Sequence, residues 1–242
     1  MPKKNILVGD DNKLTEEFLS EYFSETKSIP IFAKTPDDIL SAFPMLKPDF
    51  VFVKVDWLDK KMVERLSQYR KEKPAAKFFS LGYAKDDSFK WDNQFEIPLE
   101  LKAFRKKLLG EVMYPGKVKL LVIDDEEGVL EIFKDFFELQ KDPPFDVEYA
   151  RDGLQGFQKV KSQKPDCIIL DIKMPVRSGI DFYGDMQKSG QETPVVVFID
   201  STSADEISKV RKFGNPVFVE KSGHRSSMQE MLGIVKKLIA FA

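Results

Sequence analysis

The chain has 242 residues, 42% of them hydrophobic and 32% charged, with a formal net charge of −2. That length suits two domains of about 110–120 residues, each able to bury its own core. Charge is spread evenly, giving no basic patch for nucleic acid. No apolar run reaches the ~18 residues of a membrane span, and the single Cys167 excludes an intramolecular disulfide or a multi-cysteine metal site.

The chain opens on Lys4-Asn5-Ile6-Leu7-Val8, which enters a strand at once and does not read as a signal peptide. A cytoplasmic location is the expectation. The strand leads to Asp10-Asp11. A second apolar run follows Pro48 and ends at Lys54. The punctuation Met113-Tyr114-Pro115-Gly116-Lys117 marks a junction. Beyond it the pattern returns. Lys119-Leu120-Leu121-Val122-Ile123-Asp124-Asp125 resembles the opening, and Pro165-Asp166-Cys167-Ile168-Ile169-Leu170-Asp171 resembles 48–54, at offsets of 114 and 117 residues. A period that long means duplicated domains: 1–112, a linker 113–117, and 118–242.

In the second half, strands are predicted near 119–124, 145–149, 167–171, 195–199 and 216–220. The spacing of Val129, Leu130, Ile132, Phe133, Phe136 and Phe137 predicts an amphipathic helix. A last helix, near 226–241, carries Met228, Met231, Leu232, Val235, Leu238 and Ile239 on one stripe. Strands alternating with helices give an α/β doubly wound fold with a parallel five-stranded sheet. Strand ends in such a sheet share one edge, where ligands bind. Asp124, Asp125, Asp171 and Lys221 would converge there. Packed carboxylates repel unless a cation joins them, and oxygen ligands suit a hard ion such as Mg²⁺. The pocket reads as built for a phosphoryl group held by a metal and a lysine.

These residues carry a family resemblance. Residues 118–242 resemble the receiver domain of a two-component response regulator. The acidic pair Asp124-Asp125, the segment Asp171-Ile172-Lys173-Met174-Pro175 continuing to Gly179, and Lys221 at the end of the fifth strand follow the family's motifs. The resemblance implies a flavodoxin-like (βα)5 fold in each half. It implies that Asp171 accepts a phosphoryl group from a histidine kinase or phosphotransfer protein. Asp125, Asp171 and the Lys173 backbone carbonyl would hold Mg²⁺, with Asp124 acting mainly through water. Lys221 would pair with Asp171 or the phosphoryl oxygens.

The fourth strand of the family ends in a switching Ser or Thr. Counting from Pro194, or back from Lys221, reaches Ile199; counting forward from Asp171 reaches Ser201. The register stays open, with Ser201 slightly favoured as the switch hydroxyl. Phe218 occupies the place of a switching aromatic, although a plain core role is equally compatible. Ser222 stands where a proline is usual.

The first half resembles a degenerate receiver. Asp10 and Asp11 remain, Lys54 takes the acceptor position, and Ile97 takes that of the lysine. Lysine cannot form an acyl phosphate, and its ammonium could stand in for the cation. Asp56 lies two residues on, about 7 Å along a strand, and is not expected to accept. From Lys54 to Ile97 there are 43 residues, against 50 from Asp171 to Lys221. The fourth helix, around Tyr83–Gln94, is therefore expected to be short or absent. His224 and Cys167 read as bystanders, and Trp57 and Trp91 as core or rim packing.

Three functions are compatible with these residues. The leading one is a non-enzymatic signalling protein with a working second receiver and a pseudo-receiver. Its output would pass through protein contacts, to a downstream partner or a second copy. The alternatives are a phosphorylation-independent scaffold and a metal-dependent aspartyl-phosphate phosphohydrolase. The last usually needs an acid two residues after the nucleophile, where this chain has Lys173.

Overall fold

The computed structural model describes residues 3–84, 87–114, 116–200, 204–221 and 225–241. Two compact units emerge, Met1–Val112 with Phe241–Ala242, and Met113–Ala240.

The first unit runs β1 (Ile6–Gly9), α1 (Lys13–Phe23), β2 (Pro30–Ala33), α2 (Pro36–Leu46), β3 (Phe50–Lys54), α3 (Lys60–Glu72), β4 (Lys77–Leu81), β5 (Asn93–Phe95) and α4 (Leu101–Gly110). Its sheet is parallel with strand order β2-β1-β3-β4-β5. Side chains stop the helices from starting elsewhere. Asn12 and Asp59 accept from the first-turn N–H groups of α1 and α3, and Thr35 with Asp38 forms a capping box ahead of Pro36. Between β4 and β5 no helix forms among the described residues, as the length deficit predicts.

The second unit runs β6 (Val118–Ile123), α5 (Glu127–Glu138), β7 (Phe145–Ala150), α6 (Gly153–Gln163), β8 (Cys167–Asp171), α7 (Gly179–Lys188), β9 (Val195–Ile199), α8 (Ala204–Arg211), β10 (Val217–Glu220) and α9 (Arg225–Phe241). Its order, β7-β6-β8-β9-β10, repeats that of the first sheet. Both are flavodoxin-like α/β sheets. Alternation along β6 sorts its residues to two cores. Val118, Leu120 and Val122 pack with Phe133, Phe137, Val235 and Leu238, whereas Leu121 and Ile123 pack with Val160, Phe182 and Met186. With apolar layers on both faces, Asp124, Asp171 and Lys221 come out at the C-terminal ends of their strands.

Candidate functional site

Three strand ends of the second sheet bring the acids and the lysine together. Asp124 follows β6, where its N–H donates to the Ala150 carbonyl at 3.1 Å and its Oδ1 accepts the Glu126 N–H at 2.9 Å. Asp171 closes β8, in register with Phe198. Lys221 follows β10, and its N–H donates to the Ile199 carbonyl at 2.6 Å. Its Nζ lies 2.8 Å from Asp171 Oδ1 and 3.2 Å from Asp124 Oδ2. The Asp171 side chain is only 6% exposed and that of Lys221 17%.

Burial pushes the Asp171 carboxyl above its ordinary value, with Lys221 pulling back against it. Asp124 is raised for the same first reason, opposed by the Glu126 N–H and Lys221. Burial also disfavours the Lys221 ammonium, but its bonds to Asp171 and Asp124 outweigh that and raise it. When ionised, two buried carboxylates face one ammonium, and exposed Asp125 adds a third negative group. That surplus of oxygen-borne charge fits a hard cation. Among the described residues, however, no three His, Cys, Asp or Glu side chains are gathered into a metal cage.

The loop after Asp171 is tightly seated. The Gly179 N–H donates to the Ile172 carbonyl at 3.0 Å. A Cβ on Gly179 would stand 2.0 Å from the Asp171 carbonyl oxygen, so no larger residue fits unchanged. Met174 is buried. Lys173 entered the sequence reading for its carbonyl, but its ammonium also lies 3.6 Å from Glu206 and 3.9 Å from Asp200. Spacing alone carries no signal for that pairing.

Ser201, Ser222 and His224 lie outside the described residues. Ile199 is the last residue of β9, opposite Glu220. Phe218 is half-buried, with the Arg211 guanidinium 5.7 Å from its ring centre. Cys167 is fully buried, and burial pushes its thiol up to about 12.

The first unit reproduces the backbone of this site and changes its chemistry. Asp10 donates its N–H to Ala33 at 3.2 Å and accepts the Asn12 N–H at 3.0 Å, as Asp124 does with Ala150 and Glu126. Lys54 Nζ lies 2.8 Å from Asp11 Oδ1 and 4.0 Å from Asp56 Oδ2. The hydrogen bond to Lys54 lowers Asp11, and the same bond raises Lys54. Asp56 points a largely exposed side chain at solvent, and Ile97 is 42% exposed. Trp91 packs edge-on to Phe89 with ring centres 4.8 Å apart.

Parallel sheet order, paired acids, a strand-end aspartate and a bridging lysine define a receiver domain. Residues 120–233 match the family described as the response regulator receiver domain, and the second unit belongs to that family. The first unit repeats its strand order, with Lys54 ending β3 where Asp171 ends β8. Response regulator MprA of Mycobacterium ulcerans (strain Agy99) is 28% identical over 92 residues, 38% of this chain and 37% of that protein. Protein-glutamate methylesterase/protein-glutamine glutaminase 2 of Koribacter versatilis (strain Ellin345) is 34% identical over 114 residues, 46% of this chain and 31% of that protein. The response regulator domain of Thermotoga maritima CheB aligns with a TM-score of 0.45 and 26% identity, covering 50% of this chain and 96% of that one. The match therefore spans well under half of either curated relative. No helix among the described residues is long and apolar enough to cross a membrane.

Proposed function

We propose that the second unit accepts a phosphoryl group on Asp171 from a histidine kinase or phosphotransfer protein. The observation that carries this is Lys221 bridging Asp171 and Asp124 at the sheet edge. An Asp171 carboxylate oxygen would attack phosphorus in line. The phosphorus–nitrogen bond of the donor phosphohistidine breaks as the new phosphorus–oxygen bond forms, and the imidazole leaves with the electron pair. Lys221 then meets the charge on the transferred group as a fixed ammonium. Asp125, Asp171 and the Lys173 carbonyl would hold Mg²⁺, with Asp124 through water, and the ion would offset charge on the phosphoryl oxygens.

The first unit, with Lys54 already paired to Asp11, serves as a phosphorylation-independent binding surface in this reading. Output passes through protein contacts, to a downstream protein or a second copy. Catalysis on an external substrate is not part of the proposal, because Lys173 stands two residues after Asp171. Incubation with acetyl phosphate and Mg²⁺, followed by intact mass, tests it. One phosphoryl addition is expected, lost in Asp171→Ala. An addition that survives this change overturns the assignment.

A second reading draws support from the β9 register. Ile199 sits between the strand-end Asp171 and Lys221, which favours it over Ser201 for the switch position. A domain without that hydroxyl suits a scaffold whose contacts do not depend on phosphorylation.

A further inference from the structure

The first unit carries a cavity of about 510 Å³ that the chemistry proposed for Asp171 does not use. Small-molecule sites span roughly 300–1,000 Å³. The cavity lies past the C-terminal ends of β3 and β4, the edge where doubly wound folds bind ligands. Val55, Asp56 and Leu58 reach it from the turn after β3, Asp59 and Val63 from the start of α3, and Tyr83 from the segment after β4. In the second unit the corresponding connection carries α8, whereas none of the described residues between β4 and β5 is helical.

The fold sets the walls before any ligand arrives. Val55–Trp57 form a 3₁₀ turn. Trp57 packs inward, where a Cβ on Gly9 would lie 3.2 Å from its ring, while Val55 and Asp56 line the cavity. Gly82 has φ 94°, and a Cβ there would stand 2.9 Å from Val55 Cγ2, so this wall takes no larger residue unchanged. The Ser80 hydroxyl donates to the Gly82 carbonyl at 2.8 Å, and the Ala84 N–H to Gln94 Oε1 at 3.0 Å. The Tyr83 hydroxyl donates to Glu96 Oε1 at 2.6 Å, which holds in place a residue that is 56% exposed. A site already in shape gives up little freedom when a ligand enters.

The lining selects by charge. Val55, Leu58 and Val63 supply apolar area, and Tyr83 an aromatic face. Among the described residues, the cation beside Asp56 is Lys54, at 4.0 Å, and Asp11 already holds that ammonium at 2.8 Å. Asp59 gives one oxygen to the Met62 N–H at 2.7 Å. An anion entering the cavity meets two carboxylates. A neutral group takes water from Asp56 and returns no partner. An ammonium pairs with that carboxylate and lies over the Tyr83 ring. Lys60 is also at the wall, but it is exposed and can extend its ammonium into water. We infer that this cavity binds a small organic cation, an ammonium carrying an aryl or alkyl group. The site gives the first unit a ligand of its own, and it stands whether or not Asp171 accepts a phosphoryl group.

The test is a backbone NMR titration of the full chain with three probes of nearly one shape: 2-phenylethylammonium, the neutral 2-phenylethanol and the anionic 3-phenylpropionate. The ammonium should shift the Val55, Leu58, Val63 and Ala84 signals and approach saturation by ~10 mM, as befits so small a ligand. The alcohol should bind about tenfold more weakly, for want of one charge-assisted contact, and the carboxylate should leave these signals in place. Asp56→Asn, at a side chain 77% exposed, keeps the shape and removes the charge. It should weaken the ammonium about tenfold and leave the alcohol within about twofold. Tyr83→Ala should weaken both. Equal binding of ammonium and alcohol, an Asp56→Asn protein that binds the ammonium like wild type, or a preference for the carboxylate overturns the inference. So do shifts confined to other residues, or none at all. Labelling of Asp171 by acetyl phosphate is measured separately, and its outcome bears only on the second unit.

Discussion

Gly179→Ala perturbs Asp171 through its own backbone. The added Cβ would lie 2.0 Å from the Asp171 carbonyl oxygen, 2.8 Å from Ile172 Cα and 2.9 Å from the Asp171 carbonyl carbon. Ordinary contact begins near 3.5 Å, so something must move by more than ~1 Å. No flexible side-chain end is among these neighbours; all three are main-chain atoms at the end of β8. That strand is fixed by neighbours on both sides, so the strain falls on the start of α7 and on Asp171 together. Overpacking of this kind costs about 1–3 kcal/mol. Misplacing a reacting group by about 1 Å costs on the order of 10²-fold in rate. The assay is a time course of intact mass with acetyl phosphate and Mg²⁺, paired with thermal unfolding. Gly128→Ala serves as the contrast. Nothing lies within 4 Å of a Cβ there, so the change should stabilise α5 by about 0.5–1 kcal/mol and leave labelling intact. A Gly179→Ala protein that labels at the wild-type rate with an unchanged Tm would show that α7 can step back freely. The close approach would then have no part in holding Asp171.

Three further outcomes are expected. Lys54→Asp removes the ammonium from Asp11 and adds a third carboxylate, so Mg²⁺ titration should begin to shift backbone NMR signals near Asp10. In wild type the shifts should appear near Asp125 alone, and equal shifts in both units would refute the cation-substitute reading. If Ile199 holds the strand-end position, Ile199→Thr should strengthen the change in hydrogen exchange that beryllofluoride causes over 204–221. Ser201→Ala should leave that change as it is, and blunting by Ser201→Ala would return the role to Ser201. Glu100 caps α4 by accepting from the Lys102 and Ala103 N–H groups at 3.2 and 2.9 Å, which hold its carboxyl below the ordinary value. A lowered folded-state pKa gives stability that is present above the unfolded value and lost as pH falls through the folded one. The Tm difference between wild type and Glu100→Gln should therefore be largest near about pH 7 and close toward about pH 3. A difference constant across that range would rule out the carboxylate cap.

The strands were legible because residues buried on both faces must be apolar throughout, as in Leu120–Ile123 and Cys167–Leu170. The site was legible wherever it sits at a fixed step from a strand end: Asp124, Asp171 and Lys221 need only the strands to be right. Lys54 at the end of β3 was readable for the same reason. Even the absence, among the described residues, of a helix before β5 showed as a deficit in chain length. Tertiary structure decided what depends on pairing between segments. The stretch from Asp171 to Lys221 contains loops of free length, so counting reached both Ile199 and Ser201. Only the pairing of Asp171 with Phe198, and of Glu220 with Ile199, places a residue beside the lysine. The pairing of the Lys173 ammonium with Glu206 is likewise a meeting of distant segments. Val176 is the extreme case. A valine carries no local preference for positive φ, and its turn exists because Gly153, Asp185 and Ile172 hold the loop from outside. A propensity read along the chain registers what a residue favours, whereas packing from several directions can impose what it does not.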